Sequence, residues 1–473
     1  MQITEMFDYF LQYEEEHELF ERKEIAGIRY WYYLRYPIWQ AMMQMSGWGI
    51  NITGKTGKKA AERTLERIER NTIRNPMLSM QKEVLIFNSP RRVKYGSYYQ
   101  CIYTDEWLQD LKRSYCVCES AYQGQHFKPV RTKHLKYIDC KVKAVQKQKI
   151  DVRKEFSALL SELENGLGVH FDNQTKKSLL VSFDSIINHR AGIMAYYDRL
   201  LHRINPKIIL LVNGYDFEHI LMVETAKKRG IPTVELEHGA MEGHLAYNFL
   251  RKRELPGFPD YIFTFGKHDA EVPQLPIDSA NVVPVGSAQL EREILFYQNA
   301  FKNKTKKKKI ITFWSNGSEE LIDCALKLSE RLDLSVYKVV VKLHPSEYRN
   351  WNKLYPKLGH GNVQIEDGSK HNVYYWLAVS DWVIGTSSTT LIEATAFDTN
   401  ILILKASKYY QMKGVVEKGF GKYAADDKEI YDMIMSGKST RKQDVDPEMF
   451  FARNVKQNIY KAIDQIIGSK QRK

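Results

Sequence analysis

Residues 339–347 read Val-Val-Val-Lys-Leu-His-Pro-Ser-Glu, and this stretch decides the fold class. Three consecutive β-branched residues predict a buried strand, which Pro345 ends. Lys342 and His344 are two residues apart, so on an extended chain their side chains point the same way. A cation and an imidazole therefore leave the carboxyl end of a buried strand, where open α/β sheets bind ligands. The alternative interpretation is a surface lysine and a histidine that caps the next turn.

About forty residues further on, a second stretch predicts a strand followed by polar residues. Residues 381–385 predict a short apolar strand, 391–396 a helix and 401–404 another buried strand, which together make a βαβ unit. The start of a helix offers free N–H groups and a positive dipole end, both of which suit phosphate. One hydroxyl is enough to cap a helix, so a run of five predicts a phosphate site. That run consists of Thr386, Ser387, Ser388, Thr389 and Thr390.

These motifs resemble those of bacterial surface-polysaccharide transferases of the GT-B fold. The similar elements are Lys342-x-His344-Pro345, the Ser/Thr-rich turn, and a glutamate inside the following helix, over residues 206–405. The group includes polysialyltransferases and sialyltransferases, capsular Kdo transferases, and the CDP-glycerol glycerophosphotransferases of teichoic acid synthesis. The resemblance implies that the histidine and the turn hold the phosphate of a CMP- or CDP-activated donor. The implied donor-binding residues are Lys342, His344, Pro345, Gly385, Thr386, Ser387, Ser388, Thr389 and Glu393.

Length and composition limit the class of protein. A chain of 473 residues is long enough for two or three domains, and its hydrophobic fraction of 43% suffices for packed cores. The net charge of +13 favours anionic partners: nucleic acid, an acidic membrane, a nucleotide donor or an anionic glycan. Residues 1–20 are rich in Glu and lack the apolar region of a secretory signal. Five scattered cysteines predict reduced thiols and a cytoplasmic location, without a disulfide framework or zinc site.

The alternation of strand and helix patterns predicts an α/β protein with Rossmann-like domains. The resemblance implies that there are two of them, facing across a cleft as in the GT-B fold. Residues 1–80 are expected to form a helical N-terminal extension. Residues 81–300 are expected to form an acceptor-side domain and 308–446 a nucleotide-donor domain. The lysine-rich stretch 299–309 is the expected linker. Residues 447–473 are expected to hold a C-terminal helix that packs back, followed by a basic tail.

A second set of candidates follows the predicted strand 232–236. The next residues read Glu237-His238-Gly239, and a His-Gly motif at this place also occurs in the glycerophosphotransferase relatives, whose histidine is thought to act near the acceptor hydroxyl. The Thr-Pro-Leu that continues their pattern is missing here. Transfer needs a base near the operating pH to take a hydroxyl proton, although a histidine at a strand end often just bonds a carbonyl. The catalytic candidates are His238, Glu237, Asp216 and His344; the acceptor-binding candidates are Asn213, Arg91, Arg92 and His244.

Residues 25–50 are rich in aromatic residues interleaved with arginines. Arg29, Arg35 and Pro37 exclude a membrane span. We expect an amphipathic helix that packs on the main body, because aromatic stripes usually lie in cores. The alternative is a helix in the membrane interface, which would attach the protein peripherally to the inner membrane surface. The aromatic residues in question are Trp31, Tyr32, Tyr33, Tyr36, Trp39 and Trp48.

No metal site is expected, because the Asp444-Val445-Asp446 motif precedes a proline and predicts a helix start rather than a site after a strand. No cofactor is expected besides the donor substrate, so side chains and a helix dipole must neutralise the leaving phosphate. The resemblance implies a glycosyltransferase of capsule or other surface polysaccharide synthesis, and the lack of a metal motif adds the expectation that it is metal-independent. Its partners would be a nucleotide-sugar donor and a glycan or lipid-linked glycan acceptor.

Three other functions compete with this prediction. A CDP-glycerol-type polyol-phosphate transferase would use the same fold. A basic nucleic-acid-binding protein would fit the net charge, but the basic residues are spread along the chain and no RRM, KH, helix-turn-helix or zinc-finger pattern occurs. No nucleic-acid partner is therefore expected. A catalytically dead glycan-binding scaffold is disfavoured by the intact Lys342, His344 and Ser388.

Overall fold

The computed structural model describes residues 3–45, 68–138, 145–302, 306–368, 370–406 and 409–470. The chain divides into two compact units. Unit 1 comprises Met1–Thr264, Ala270–Val283 and Lys456–Lys473. Unit 2 comprises Phe265–Asp269 and Pro284–Val455.

The secondary structure alternates between strands and helices in both units. In chain order, the strands are β1 (Glu24–Ile25), β2 (Ile28–Arg29), β3 (Val84–Phe87), β4 (Val93–Tyr95), β5 (Tyr98–Gln100), β6 (Tyr115–Glu119), β7 (Leu135–Tyr137), β8 (Ile208–Val212), β9 (Thr233–Leu236), β10 (Tyr261–Thr264), β11 (Val282–Pro284), β12 (Lys309–Trp314), β13 (Tyr337–Lys342), β14 (Gln364–Glu366), β15 (Trp382–Gly385), β16 (Asn400–Leu404) and β17 (Gly421–Ala424). The α-helices are α1 (Ile3–Glu16), α2 (Leu19–Arg22), α3 (Trp31–Met45), α4 (Asp105–Leu108), α5 (Arg153–Leu167), α6 (Asn173–Asn188), α7 (Arg190–Ile204), α8 (Phe217–Lys228), α9 (Lys267–Glu271), α10 (Ala288–Phe301), α11 (Glu319–Arg331), α12 (Trp351–Leu354), α13 (Val373–Val379), α14 (Thr389–Glu393), α15 (Lys413–Glu417), α16 (Asp427–Met435) and α17 (Val455–Lys470).

Unit 1 is built on a sheet with the strand order β11-β10-β9-β8-β3-β6-β7. The pairs from β10 to β7 are parallel. If β3 is counted as the first strand, the order becomes 7-6-5-4-1-2-3, which is the doubly wound arrangement. The direction of winding reverses between β3 and β8, where Phe87 lies opposite Leu211. All five residues of β8 are buried because layers cover both faces of such a sheet.

Unit 2 repeats this topology on a sheet of its own. Its strand order is β14-β13-β12-β15-β16-β17, and every pair is parallel. Counted from β12, the order is 3-2-1-4-5-6, so the winding reverses between β12 and β15. Trp314 at the end of β12 lies opposite Lys342 on one side and Gly385 on the other. The sequence motifs at 342–344 and 385–389 therefore flank the central strand.

The N-terminal aromatic segment is part of the core of unit 1. Trp31 on α3 is fully buried. Arg35 on the same helix forms an ion pair with Glu14 at 2.7 Å, and both side chains are 2% exposed. A buried pair of this kind is costly to break because either charge alone would be left unpaired. The structure thus agrees with packing on the main body, whereas Trp48 lies outside the described residues.

No helix in the described ranges is long and apolar enough to cross a membrane.

The two units divide the chain at other positions than the sequence suggested. The N-terminal helices belong to unit 1 instead of forming a separate extension. Within the expected linker 299–309, α10 ends at Phe301 and β12 starts at Lys309, both inside unit 2, while residues 303–305 lie outside the described ranges. One crossing between the units lies at Val283–Pro284. Helix α17 belongs to unit 1 from its second residue onward, and its Tyr460 hydroxyl donates to a carbonyl of that unit at 2.6 Å.

Candidate functional site

In unit 2, polar side chains meet at the carboxyl ends of β12 and β15, where the strand order reverses. The Thr386 hydroxyl donates to Asn316 Oδ1 at 3.0 Å. Asn316 Nδ2 in turn donates to the carbonyl oxygen and the hydroxyl of Ser387, at 2.6 and 2.8 Å. Ligands of doubly wound sheets bind outside such a reversal. Asn316, which the sequence motifs did not single out, is therefore a central residue of this candidate site.

The run of hydroxyl residues divides into different roles. Thr386 and Ser387 are 1% and 7% exposed, and their hydroxyls form hydrogen bonds with the Asn316 side chain. Ser388 caps α14, because its hydroxyl accepts from the backbone N–H of Thr390 at 3.2 Å. Thr389 is exposed at the start of this five-residue helix. The surplus of hydroxyls that predicted a phosphate site thus has, in part, a structural explanation.

Two further predicted donor residues lie beside this turn. A Cβ at Gly385 would come within 3.0 Å of the Leu391 side chain, so the glycine lets α14 pack closely onto β15. Glu393 ends α14, and Tyr374 donates to its carboxylate at 3.4 Å. Burial raises the pKa of Glu393 to about 7, against the effect of the Tyr374 hydrogen bond. This carboxyl group therefore titrates near neutral pH.

Lys342 carries a buried ammonium at the end of β13. It is 4% exposed, and its Nζ donates to the Tyr348 hydroxyl at 2.7 Å and to the Leu343 carbonyl at 3.3 Å. Burial lowers the pKa of Lys342, while the negative charge of Glu366 opposes this shift. A cation with few solvent contacts attracts an anion more strongly than a surface lysine does.

His344 lies in a different environment from Lys342. The strand ends at Lys342, and a turn in which the Glu347 N–H donates to the His344 carbonyl at 2.9 Å follows at once. The His344 side chain is exposed, and its Nδ1 lies 2.7 Å from the Ser346 hydroxyl. Pro345 is exposed as well. Lys342 and His344 were expected to leave the strand together, but Lys342 is buried whereas His344 is exposed at the start of the turn.

Glu347 holds this turn in place and was not among the sequence candidates. Its carboxylate is 4% exposed and accepts from the backbone N–H of His344 at 2.7 Å. It also accepts from the hydroxyls of Ser315 and Tyr355 at 2.9 and 2.7 Å. Glu347 thereby ties the turn with His344 to the end of the central strand β12.

In unit 1, Asn213 and Asp216 follow β8 at the corresponding reversal. Asn213 adopts φ 72°, a left-handed conformation that asparagine tolerates. Asp216 caps α8 by accepting from the His219 N–H at 3.0 Å, and its Oδ2 lies 2.6 Å from His219 Nδ1. Burial favours a neutral Asp216, but the charge and hydrogen bonds of His219 outweigh it and lower its pKa. Asp216 therefore serves as a helix cap and ion-pair partner, which makes it a weaker candidate base than His238.

His238 follows β9 within a group of aromatic side chains. Its Nε2 lies 3.3 Å from the Tyr215 hydroxyl, and the Tyr103 hydroxyl donates to its carbonyl at 3.0 Å. Burial lowers the pKa of His238 to about 4. The imidazole is therefore neutral at pH 7, and its burial disfavours the protonated form.

His244 joins the same group through the N-terminal helix. Tyr36 on α3 stacks on its ring at 5.2 Å, and the Tyr36 hydroxyl lies 3.3 Å from His244 Nε2. The Tyr215 ring is 4.7 Å from Tyr36 and 5.0 Å from His244. Burial lowers the pKa of His244 to about 4. The sequence pointed to Tyr36 only as a packing residue, because nothing in its spacing connects it to a histidine some two hundred positions later.

Glu235 is a buried carboxyl group beneath His238 that the sequence candidates did not include. Its Oε1 accepts from the Tyr247 hydroxyl at 2.6 Å and from the Gly214 N–H at 2.8 Å, and lies 4.0 Å from His238 Nδ1. Burial raises the pKa of Glu235 to about 7, against these hydrogen bonds. A glutamate within an otherwise apolar strand was the available signal. Its neighbour Glu237 is also buried, at 4% exposure.

The two candidate arginines lie in different environments. The Arg92 side chain is fully buried and pairs with Glu119 at 2.6 Å and with Asp105 at 3.4 Å. These ion pairs anchor the loop that carries the β4–β5 hairpin, so Arg92 has a structural role in unit 1. Arg91 is exposed on the same loop.

Among the described residues, no group of three or more His, Cys, Asp or Glu side chains could hold a metal ion.

Comparisons with known proteins bear on the fold. Neither a family model nor a curated protein sequence matches the chain. A protein from Listeria monocytogenes assigned as a UDP-N-acetylglucosamine 2-epimerase has a similar structure, with a TM-score of 0.50 at 12% identity over 82% of this chain and 97% of that one. The UDP-GlcNAc 2-epimerase of Neisseria meningitidis bound to UDP-GlcNAc gives 0.49 at 14% identity over 81% and 99%. The wall teichoic acid polymerase TagF with CDPG gives 0.46 at 13% identity over 87% and 98%.

The first of these likenesses supports the fold class that the sequence predicted. The chain has a GT-B-like fold, with two parallel-sheet α/β units and a helical N-terminal region. Proteins that share only 12% identity have a fold in common, and their activities do not transfer with it.

Proposed function

We propose that the chain is a nucleotide-sugar-dependent glycosyltransferase that acts in the synthesis of a bacterial capsule or other surface polysaccharide. One observation carries the proposal: the strand reversal of unit 2 holds Asn316, Thr386 and Ser387 in a hydrogen-bonded group, and the buried ammonium of Lys342 lies on the adjoining strand. The motif resemblance adds the expectation of a CMP- or CDP-linked donor. The reaction would proceed without a metal.

Unit 2 is the proposed donor side. Lys342 and Gly385 flank Trp314 on the two neighbouring strands, so their backbones are about 10 Å apart, which is twice the spacing between strands. This width suits the phosphates and ribose of a nucleotide laid across the strand ends. The ammonium of Lys342 would offset the charge that develops on the leaving phosphate. His344, exposed on the next turn, would contact the donor from the solvent side.

Unit 1 is the proposed acceptor side, and His238 is the proposed base. Its imidazole is neutral at pH 7, so a ring nitrogen is free of a proton and can face an acceptor hydroxyl. Because a pKa of about 4 makes this imidazole a weak base, it would take the hydroxyl proton only in concert with cleavage of the bond from the sugar to the donor phosphate. Tyr215 fixes the ring from one side. Acceptor binding would involve Asn213, His244 and Arg91. Arg92 would instead stabilise the loop through its buried ion pairs.

Calorimetric titration with CMP, CDP, UDP and GDP tests the donor site. We expect a cytidine nucleotide to bind. We expect Asn316→Ala to weaken that binding at least about tenfold, because the turn at Thr386 and Ser387 loses the hydrogen bonds that hold it. The matched control is Asn352→Ala, an exposed asparagine of unit 2 on α12. Failure of all four nucleotides to bind, or equal affinity in both variants, would overturn the proposal.

The competing functions are separated by turnover and by salt dependence. Transfer from CDP-glycerol without transfer from a CMP- or CDP-linked sugar would identify a polyol-phosphate transferase on the same site. Filter binding of duplex DNA and single-stranded RNA over a salt series tests the nucleic-acid alternative, because phosphate contacts give a steep fall in affinity with salt. We expect weak binding that resembles the non-specific binding of any basic protein.

A further inference from the structure

The lysine run before β12 lines a groove in unit 2 that the proposed activity does not use. The groove has a volume of about 590 Å³. Four lysines surround it, and Phe301 and Ile310 contribute to its apolar floor. The lysines are Lys306, Lys307, Lys308 and Lys338. The groove therefore combines cationic walls with an apolar base.

Two exposed apolar residues lie on α10, the helix whose last residue, Phe301, lines the groove. Leu295 and Phe296 are 55% and 58% exposed on this helix. The Phe296 ring lies 4.9 Å from Tyr297, and Tyr297 stacks at 5.9 Å on Phe301, which lines the groove. Adjacent exposed large side chains of this kind mark contact sites on protein surfaces.

The charge at this place is strongly positive. Among the described residues, the lysines in and next to the groove are Lys302, Lys306, Lys307, Lys308, Lys309 and Lys338. Asp381 compensates part of this charge, since it pairs with Lys306 at 3.0 Å. Asp333 lies near Lys308. Hydrogen bonds from Ser335 are the main cause of the lowered pKa of Asp333, and the charge of Lys308 contributes a smaller part. Two carboxylates against this many ammonium groups leave a surplus of positive charge.

We propose that the groove and the exposed residues of α10 form a docking surface for an anionic lipid bilayer. Lysines next to exposed Leu and Phe side chains are the combination that binds the interface of acidic membranes. The lysines would pair with lipid phosphates, and Leu295 and Phe296 would enter the headgroup region. A nucleic acid or an anionic glycan would use the lysines but would leave these two apolar side chains in water.

The groove lies away from the proposed donor site of unit 2, so both could be occupied at once. It lies at the amino-terminal edge of the sheet, where β12 begins at Lys309 opposite Tyr337. The six residues of β12 separate it from the Asn316 edge by roughly 20 Å. Docking would therefore leave the carboxyl edge of the sheet open to solvent. It also needs no contribution from α3, whose Trp31 lies in the core of unit 1.

Co-sedimentation of the full chain with vesicles tests the proposal. We expect binding to vesicles of phosphatidylcholine mixed with phosphatidylglycerol and little binding to pure phosphatidylcholine vesicles. The triple variant Lys306→Gln, Lys307→Gln, Lys308→Gln should bind roughly 100-fold more weakly, from about fivefold per lysine. The control triple Lys413→Gln, Lys422→Gln, Lys428→Gln removes the same charge from other exposed positions of unit 2 and should change binding by less than about threefold.

The apolar part of the surface has its own test. The double variant Leu295→Ser, Phe296→Ser keeps the charge and should still weaken vesicle binding at least about tenfold, because two large side chains no longer enter the interface. If the lysine triple fails to fold by thermal melting, Lys307→Glu alone replaces it. Equal binding to both vesicle types, or equal losses in the two lysine triples, would overturn the proposal. Full binding by the apolar double variant, with heparin displacing the vesicles, would assign the surface to a polyanion instead.

Discussion

The Thr386 hydroxyl donates to Asn316 Oδ1 at 3.0 Å, across the point where the strand order of unit 2 reverses. This bond joins the loop after β12 to the loop after β15. Ser387 accepts from the same amide, so Asn316 is held from two positions of the hydroxyl run. The geometry of the candidate donor site therefore depends on a hydrogen bond between residues seventy positions apart.

We expect Thr386→Val to lower the free energy of unfolding by about 1–3 kcal/mol, because it leaves Asn316 Oδ1 without its donor. Thr386→Ser keeps the hydroxyl and serves as the control. Urea unfolding of both variants measures the difference. Equal stability of the valine and serine variants would contradict the assigned role of the hydroxyl.

Replacement of His344 by alanine should abolish transfer while the melting temperature stays within about 2 °C of the wild-type value, since surface substitutions usually change stability little. The imidazole is exposed, whereas the turn is held by the backbone and by Glu347. Turnover with the donor found by titration and a thermal melt are the two measurements. Most of the wild-type turnover in the variant would remove His344 from the proposed site.

His238 and His244 should make unit 1 sensitive to acid. Their folded pKa values of about 4 lie below the value of about 6.5 in an unfolded chain, so the unfolded state binds more protons in between. The free energy of unfolding should therefore fall as the pH drops from about 6.5 to about 4. A His238→Gln, His244→Gln variant should lose less stability over this window than the wild type does. Parallel acid dependence of the two proteins would show that these histidines are not buried in the neutral state.

The Asp216–His219 pair should make the free energy of unfolding fall as the pH rises into the alkaline range. Asp216 raises the pKa of His219 to about 9 despite burial, so the contribution of this pair is full below about pH 6.5 and is lost as the pH rises through 9. Thermal midpoints at pH 7 and pH 9.5 for the wild type and His219→Asn measure it. The difference in thermal midpoint between the wild type and His219→Asn should be smaller at pH 9.5 than at pH 7. An equal difference at both pH values would contradict the ion pair.

The strands were predictable from the sequence where their residues are buried and apolar. The predicted strand 232–236 agrees with β9 to within one residue, and 401–404 agrees with β16 to within one residue. Strand β17, with the sequence Gly-Lys-Tyr-Ala, was missed because it has no run of β-branched residues. The break between α6 and α7 at His189 was not predictable either, because no glycine or proline stands at that residue.

The candidate sites were predictable only in part. The carboxyl-end rule selected Lys342 and His238 as candidates, and the same rule applied to β12 would also have selected Asn316. Tyr36 and Glu347 were out of reach, because their roles depend on tertiary contacts that no local spacing encodes. The excess of hydroxyls at 386–390 predicted a phosphate site, which stays a prediction, and two of these hydroxyls bind a protein amide.

A calorimetric titration of the cytidine nucleotide into the Lys342→Met and His238→Ala variants most directly tests which residue binds the donor. We propose that Lys342 in unit 2 binds the donor phosphate and that His238 in unit 1 is the base. Lys342→Met should weaken nucleotide affinity by about 1.5–3 kcal/mol, the value of a hydrogen bond to a charged group, while His238→Ala should leave the affinity unchanged and remove turnover. Loss of nucleotide binding in His238→Ala together with full affinity in Lys342→Met would contradict this proposal.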